Sequence, residues 1–321
     1  MDDKSFIKHR FAGELKAGDA VDDVFALSDK ALGKKRDGTS YLSLTLADRT
    51  GSIRAVMWED ADRAAAGIRK GGLVRIRGSV SEYQEQLQVV VKEAFPFPEE
   101  KGDPEVFLPK TRRNIDVMFE RLVRLSNSLE DVHLKALLAA FFEDATLMEA
   151  FKRAPAAKMM HHAYLGGLLE HTLSMALLSD TVAGHYGGID RDLLLAGAVL
   201  HDIGKTKEFV YHHVIDYSDA GRLLGHILMG IRMIDEKMAA IKDFPAEKAM
   251  LLKHLVLSHH GNREYGSPEV PKTMEAVLLH YIDEIDSKIH GIREYMESNN
   301  PGEPWTAYHR VLERHFFRKK D

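Results

Sequence analysis

The chain contains no cysteine among its 321 residues. That removes disulfide staples, zinc–thiolate sites and a thiol nucleophile from consideration, and it fits a reducing compartment. No apolar run approaches the ~20 residues that span a bilayer, and the first ten residues, MDDKSFIKHR, carry charge where a signal peptide needs an apolar segment. The sequence therefore reads as soluble and cytoplasmic, with no membrane partner. An excess of positive charge is also lacking: 44 Lys and Arg stand against 49 Asp and Glu, a net charge of -5. Bulk attraction does not hold nucleic acid to such a chain, so any nucleic-acid site must be local. There is no glycine-rich phosphate loop, no GxGxxG and no Ser/His/Asp order with a nucleophile elbow. Nor is there a fixed-period repeat or a low-complexity segment. Histidine is what stands out: there are 17, most of them after position 160.

Four of the ten prolines fall in PFPEEKGDPEVFLP, Pro96 to Pro109. Proline lacks the amide donor and restricts its predecessor, so this stretch reads as an extended linker. Before it, apolar residues alternate with polar ones around Leu42–Leu46, Ile53–Met57, Val74–Ile76 and Leu87–Val91, with turns at RTG and KGG. With VDDVFALSDKAL as a first strand and EDADRAAAGIRK as a helix between the third and fourth, the pattern predicts a five-stranded OB-like barrel over residues 12–97. A linker and helical connector follow at 98–154. From 155 to 321 the spacing is helical, broken at GHYGGID, HHGNREYGSPEVP and SNNPGEPW. The expected fold class is α+β: a barrel followed by an all-α domain. A C-terminal helix, WTAYHRVLERHFFRKK, would offer either a docking stripe or a basic tail.

Five places set a histidine or aspartate into an apolar helical pattern: His171, His201 with Asp202, His226, His259 with His260, and Asp283. Each one alone reads most simply as a satisfied core residue, because a buried imidazole needs a hydrogen bond or a ligand. Together they fit the way helical bundles build metal sites from inward-projecting side chains. Imidazole and carboxylate suit divalent first-row metals, and a carboxylate can bridge two of them. Paired ions activate water and neutralise phosphate oxygens, and phosphoryl transfer needs positioning more than a covalent nucleophile.

The order H…HD…H…H…D, with LHDIGK at its centre, resembles the HD superfamily of metal-dependent phosphohydrolases. HHAYLGGLLEHT, GRLLGHI, SHHGNREYGSP and LHYIDEIDSKI, together with the barrel's YLSLTLADRTGSIRAVMW, resemble the YhaM-type 3′→5′ exoribonucleases over nearly the whole chain. This resemblance implies two divalent ions, manganese first, with iron, cobalt, nickel or zinc as alternatives. His171, His201, Asp202 and Asp283 would hold one. Asp202 would bridge to a second held by His226 and His259, with His260 either an outer group or an alternative ligand. Asp286 competes with Asp283, which holds the family's position. Lys205 would meet phosphate or orient the nucleophile, and so joins Asp202 as a catalytic candidate. His161 and His162 either touch the RNA backbone near the metals or are an ordinary helix-start pair. Gly261 stands where the cyclic-dinucleotide branch has glutamate, which lowers that alternative.

With the leucines inward, Tyr41, Arg54, Arg75 and Arg77 point outward. Lys34, Lys35 and Arg36 form a basic cluster between the first two strands, and Trp58 and Tyr83 extend an aromatic platform. Stacking aromatics and phosphate-pairing cations are what a single-strand groove needs, although any soluble barrel also carries such residues. The expected function is 3′→5′ hydrolysis of single-stranded RNA, with single-stranded DNA as an alternative, releasing nucleoside monophosphates; direction and RNA preference come from the resemblance. Self-assembly into a homo-oligomer is left open. Two rivals are a phosphohydrolase of small or cyclic nucleotides with a regulatory barrel, and a non-catalytic single-strand-binding protein.

Overall fold

The computed structural model describes residues 6–84, 86–159, 161–298 and 302–319. The chain forms two compact units. One runs from the start of the described chain to Lys110 and includes Val210–Asp216; the other comprises Thr111–Phe209 and the described chain from Tyr217 onward.

The first unit is built from β1 (Ala20–Lys34), β2 (Ser40–Asp48), β3 (Gly51–Met57), α1 (Ala61–Gly67), β4 (Leu73–Tyr83) and β5 (Gln86–Phe97). The strands close into a barrel in the order β1-β2-β3-β5-β4. All neighbours run antiparallel except β3 and β5, which are parallel. This order, with a helix between β3 and β4, is that of an OB-fold. Period-two alternation drives closure: Leu42, Leu44, Leu46, Ile53, Ala55, Met57, Val74, Ile76, Val89 and Val91 all enter the core. β1 is long enough to serve both sides, pairing with β4 over Ala20–Ala26 and with β2 over Ala26–Lys34. A register shift between Leu27 and Asp29 bends it at the changeover.

The proline-rich stretch is not the open linker its composition suggests. Asp103 caps α2 (Pro104–Phe107), and Phe107 is buried with Val24, Ala26 and Leu73 beside Phe6, Phe97 and Val214. Proline composition marks an extended backbone, but one aromatic side chain suffices to fasten it. Residues 98–110 therefore belong with the barrel. The connector helices α3 (Ile115–Ser126), α4 (Val132–Phe142) and α5 (Ala145–Arg153) belong to the second unit. Asn114, Asp131 and Asp144 cap them by accepting from backbone N–H groups of the first turn.

The second unit continues with α6 (Gly167–His185), α7 (Arg191–Leu200), α8 (Lys205–Glu208), α9 (Asp219–Met238), α10 (Ala246–Ser258) and α11 (Met274–Ser298). Every residue of α7 from Leu193 to Leu200 is buried, and α4, α6, α10 and α11 pack around it. A helix apolar on all sides belongs at the centre of a bundle. Among the described residues no helix is long and apolar enough to cross a membrane.

The barrel followed by a helical unit is as expected; the short two-stranded sheet of β6 (Phe209–Tyr211) and β7 (Ile215–Tyr217) falls mostly within Val210–Asp216, which groups with the first unit, and is too short for periodicity to register. One expectation for the C-terminal region needs correction: 305–319 is not a helix. The chain doubles back, with Thr306 N donating to Phe316 O (3.0 Å) and His309 N to Arg314 O (2.8 Å). Trp305 packs against Phe317 with centroids 5.1 Å apart and rings tilted at 57°, and these contacts between the two limbs outweigh the helical spacing. The break expected at SNNPGEPW falls partly on residues 299–301, outside the described residues.

Phe107→Ala is expected to lower stability by about 3–5 kcal/mol, the usual cost of truncating a buried phenylalanine. Urea unfolding of the full chain measures this, and limited proteolysis should show faster cleavage within residues 98–110. An unchanged midpoint would mean that the segment is only a tether.

Candidate metal centre

Five helical elements deliver the histidines and aspartates to one place. His171 lies inside α6, and Asp283 and Asp286 lie on α11. His201 and His259 are the residues that end α7 and α10, and His226 follows a break in α9. The break is at Gly225, whose φ of 71° and ψ of 157° interrupt the helix. Gly204 allows α8 to approach it, since a Cβ there would lie 2.0 Å from the His226 carbonyl oxygen. The glycine of HDIGK is thus required by contact with the next ligand-bearing element.

Four imidazoles share one arrangement. His201 Nδ1 donates to Ala198 O (2.9 Å) and His259 Nδ1 to Val256 O (2.8 Å). His226 Nδ1 donates to Glu208 Oε1 (3.1 Å), which also accepts from the His226 backbone N–H (3.0 Å). His171 Nδ1 donates to Asp286 Oδ2 (2.8 Å). With each Nδ1 tied, each Nε2 turns inward, the tautomer and orientation a metal ligand needs.

The inward atoms converge on Asp202. Its Oδ2 lies 3.3 Å from His201 Nε2 and 3.6 Å from His171 Nε2, and His171 Nε2 lies 3.4 Å from Asp283 Oδ1. On the other side, Asp202 Oδ1 lies 3.4 Å from His226 Nε2 and 3.7 Å from His259 Nε2. Asp202 Oδ1, His226 Nε2 and His259 Nε2 are buried and have no hydrogen-bond partner. Leaving three such groups unsatisfied is costly, and their convergence fits a cation. His226, His259 and His260 also group closely enough to share an ion, as do His171, His201 and Asp283.

The charge states agree with that donor set. Burial raises the Asp202 pKa, but Lys205, His201 and His226 outweigh it and hold the carboxyl well below its usual range. Burial likewise opposes ionisation of Asp283, yet the hydrogen bond from His171 and the neighbouring histidines lower its pKa. His259 is held neutral by burial, with His260 and His201 adding to the effect. His171 goes the other way: burial is outweighed by Asp283 and Asp286, and its pKa rises to about 10. Ionised carboxylates and neutral imidazoles are the forms that bind metal, and a proton at His171 is one that a dication displaces.

Lys205 donates to Asp202 Oδ2 (2.6 Å) and lines a cavity of about 680 Å³ shared with His161, His226, His259, His260 and Asp283. Asp286 does not face the cluster; it sits behind His171 and also accepts from Ser174 Oγ. His162 is the clearest correction. It is fully buried, it bridges Asp286 (3.1 Å) and the Tyr164 hydroxyl (3.0 Å), and it precedes α6 in a turn with φ of 53°. Both its ring nitrogens are engaged inside the protein, which fits a structural role behind His171 and not a surface contact. His161 lines the cavity and is held neutral, its pKa lowered to about 4 chiefly by burial.

The barrel residues separate into two groups. Tyr41 on β2 and Trp58 just after β3 pair at 5.4 Å between centroids. Lys35 Nζ donates to Trp58 O (2.7 Å), and Lys34 Nζ to Ser40 Oγ (3.0 Å), at the mouth of the β1–β2 loop that carries Arg36. Arg54 is exposed on β3, and Tyr83 is exposed at the end of β4. Arg75 and Arg77 are different. They lie on β4, which pairs with β1 and β5, and are committed to Asp22 (2.8 and 3.2 Å), with Arg77 also on Glu93 (3.0 Å). They form a neutralised surface network away from the β2–β3 face that OB-folds use.

Sequence reasoning missed Glu208, and it read Asp286 only as a rival to Asp283. Glu208 stands seven residues after His201, where no apolar pattern flags it; only tertiary contact shows that it orients His226. Glu208→Ala is expected to weaken Mn2+ binding about 10–100-fold, the usual cost of losing such a partner, while Glu208→Gln, which keeps an acceptor oxygen, loses less. Isothermal titration of both variants measures this, and equal losses would show that the carboxylate charge, not the hydrogen bonds, is what matters.

Residues 168–288 match the HD domain family, and residues 27–97 match the OB-fold nucleic acid binding domain. The 3′-5′ exoribonuclease YhaM of Bacillus velezensis is 31% identical over 94% of this chain and 96% of its own length. The YhaM of Oceanobacillus iheyensis is 32% identical over 89% and 90%. Among solved structures, the second OB-fold domain of replication protein A from Methanococcus maripaludis is 26% identical, covering 26% of this chain and 90% of its own, with a TM-score of 0.22.

Proposed function

The chain belongs to the YhaM family of 3′-5′ exoribonucleases, and on that footing we propose that it is a metal-dependent 3′→5′ exonuclease of single-stranded RNA that releases nucleoside monophosphates. The observation that carries the metal dependence is the trio of buried, partnerless atoms around Asp202. His171, His201, Asp202 and Asp283 would hold one divalent ion, and Asp202, His226 and His259, with His260 beside them, a second. Bound there, the ions supply water activation and charge neutralisation at the scissile phosphate.

The chain's own residues do the rest. Asp202 offers one carboxylate oxygen to each donor group, and Lys205 fixes that carboxylate from the cavity side, where its ammonium also meets substrate phosphate. Asp286 and Glu208 keep the rings of His171 and His226 in register. Tyr41 and Trp58 give the barrel a stacking surface, and Lys34, Lys35, Arg36 and Arg54 set positive charge around it. Face stacking and phosphate pairing tolerate any base, which suits a nuclease that works through a strand regardless of sequence. Holding the strand on a tethered barrel raises its effective concentration at the hydrolytic site.

Digestion of 5′-labelled single-stranded RNA with Mn2+ tests the reading. The intact protein should give a ladder shortening from the 3′ end, and Asp202→Ala should leave the strand whole. Hydrolysis of mononucleotides with long RNA untouched would instead favour the small-nucleotide reading. Trp58→Ala should weaken binding of single-stranded RNA about tenfold, within the range for one lost base–aromatic stack; fluorescence anisotropy measures it, and unchanged affinity would remove Trp58 from the binding face.

A further inference from the structure

We propose that the cavity beside the metal-ligand cluster contains a base-stacking subsite for the 3′-terminal nucleotide, formed by Tyr217 backed by Phe209, with Lys158 and Arg222 contacting its single 5′-phosphate. This rests on the exonuclease reading above and adds where the leaving nucleotide sits.

The cavity lining combines two kinds of side chain. His226, His259 and Asp283 are polar and belong to the ligand cluster, whereas Phe209 and Tyr217 are aromatic. Phosphate hydrolysis alone has no use for the aromatic kind. Phe209 opens β6 and Tyr217 closes β7, and their rings lie 5.2 Å apart at 40°. Phe209 is buried while Tyr217 is 38% exposed, so one ring is fixed in the wall and the other is presented to the cavity. Two long cationic side chains reach over the presented ring, Lys158 Nζ at 5.6 Å and the Arg222 guanidinium at 5.8 Å from its centre.

Because polar ligand-cluster residues and aromatic residues line the same cavity, a nucleotide whose phosphodiester meets the former has the Tyr217 face as a surface on which its base can stack. Stacking on a tyrosine face accepts purines and pyrimidines alike, and cations next to it match the adjoining phosphate. The subsite therefore takes any nucleoside monophosphate unit and rejects a sugar phosphate that lacks a base.

Calorimetric binding of AMP and ribose 5-phosphate to the full chain with Mn2+ tests this without turnover. AMP should bind about tenfold more tightly than ribose 5-phosphate, in line with one stacked base. Tyr217→Phe should keep that preference, Tyr217→Ala should abolish it, and Lys158→Ala should weaken both ligands alike. An undiminished preference in Tyr217→Ala would overturn the proposal. The second arm compares kcat/KM on RNA ending in a normal or an abasic 3′ nucleotide. The intact protein should discriminate about tenfold by the same stacking contribution, and Tyr217→Ala should not discriminate. Equal rates on both ends with the intact protein would refute the subsite and leave the exonuclease standing. RNA left whole by the intact protein, with AMP preference still dependent on Tyr217, would refute the exonuclease and leave the subsite.

Discussion

The helical unit depends on one buried carboxylate. Asp202 follows a helix that is apolar and buried from Leu193 to Leu200, and it is ionised and faces the Nε2 atoms of four histidines. A buried anion of this kind is tolerable only with compensating charge and hydrogen bonds, and Lys205 supplies only part of it. The surrounding architecture answers this single requirement. Two helices end on a histidine, a third is broken at Gly225 to turn a ring inward, and α11 brings Asp283 to the cluster with Asp286 one turn on.

The imidazoles are held by different means to the same end. Backbone carbonyls three residues earlier fix His201 and His259, so the helix itself orients the ring and no second side chain is needed. His171 and His226 lack that option, being inside a helix and just after a break, and each takes a carboxylate instead. Behind His171 the support continues through His162 and Tyr164 to Glu170, whose other contacts include Thr111, Arg113 and His290. This network explains why a second histidine of the HHAYLGG stretch is fully buried: it is part of the mounting of a donor and not of the surface that meets a strand.

The barrel and the helical unit share one chemical logic. A nuclease that shortens strands of any sequence profits from contacts to base faces and phosphates, and neither contact distinguishes bases. On the proposed function, the aromatic pair Tyr41–Trp58 with its neighbouring lysines would offer such contacts on one unit, and the cavity with Tyr217 and Lys158 on the other. Arginines that looked equivalent in sequence are not: Arg75 and Arg77 face outward as the alternation requires, but Asp22 and Glu93 already hold them.

The sequence by itself determined what local chemistry can encode. Period-two alternation specified the barrel and its inward faces, helical spacing specified the second unit, and histidines and aspartates on apolar faces identified the residues that meet in its core, because burying such groups makes sense only where they find partners. Tertiary structure decided what depends on residues far apart in the chain. It placed Asp283 toward the cluster and Asp286 behind His171, showed Glu208 clamping His226, sealed His162 inside, fastened the proline-rich stretch through Phe107 and folded residues 305–319 back on themselves. None of these leaves a periodic trace. Each arises from a contact between elements whose separation in sequence carries no information about their distance in space.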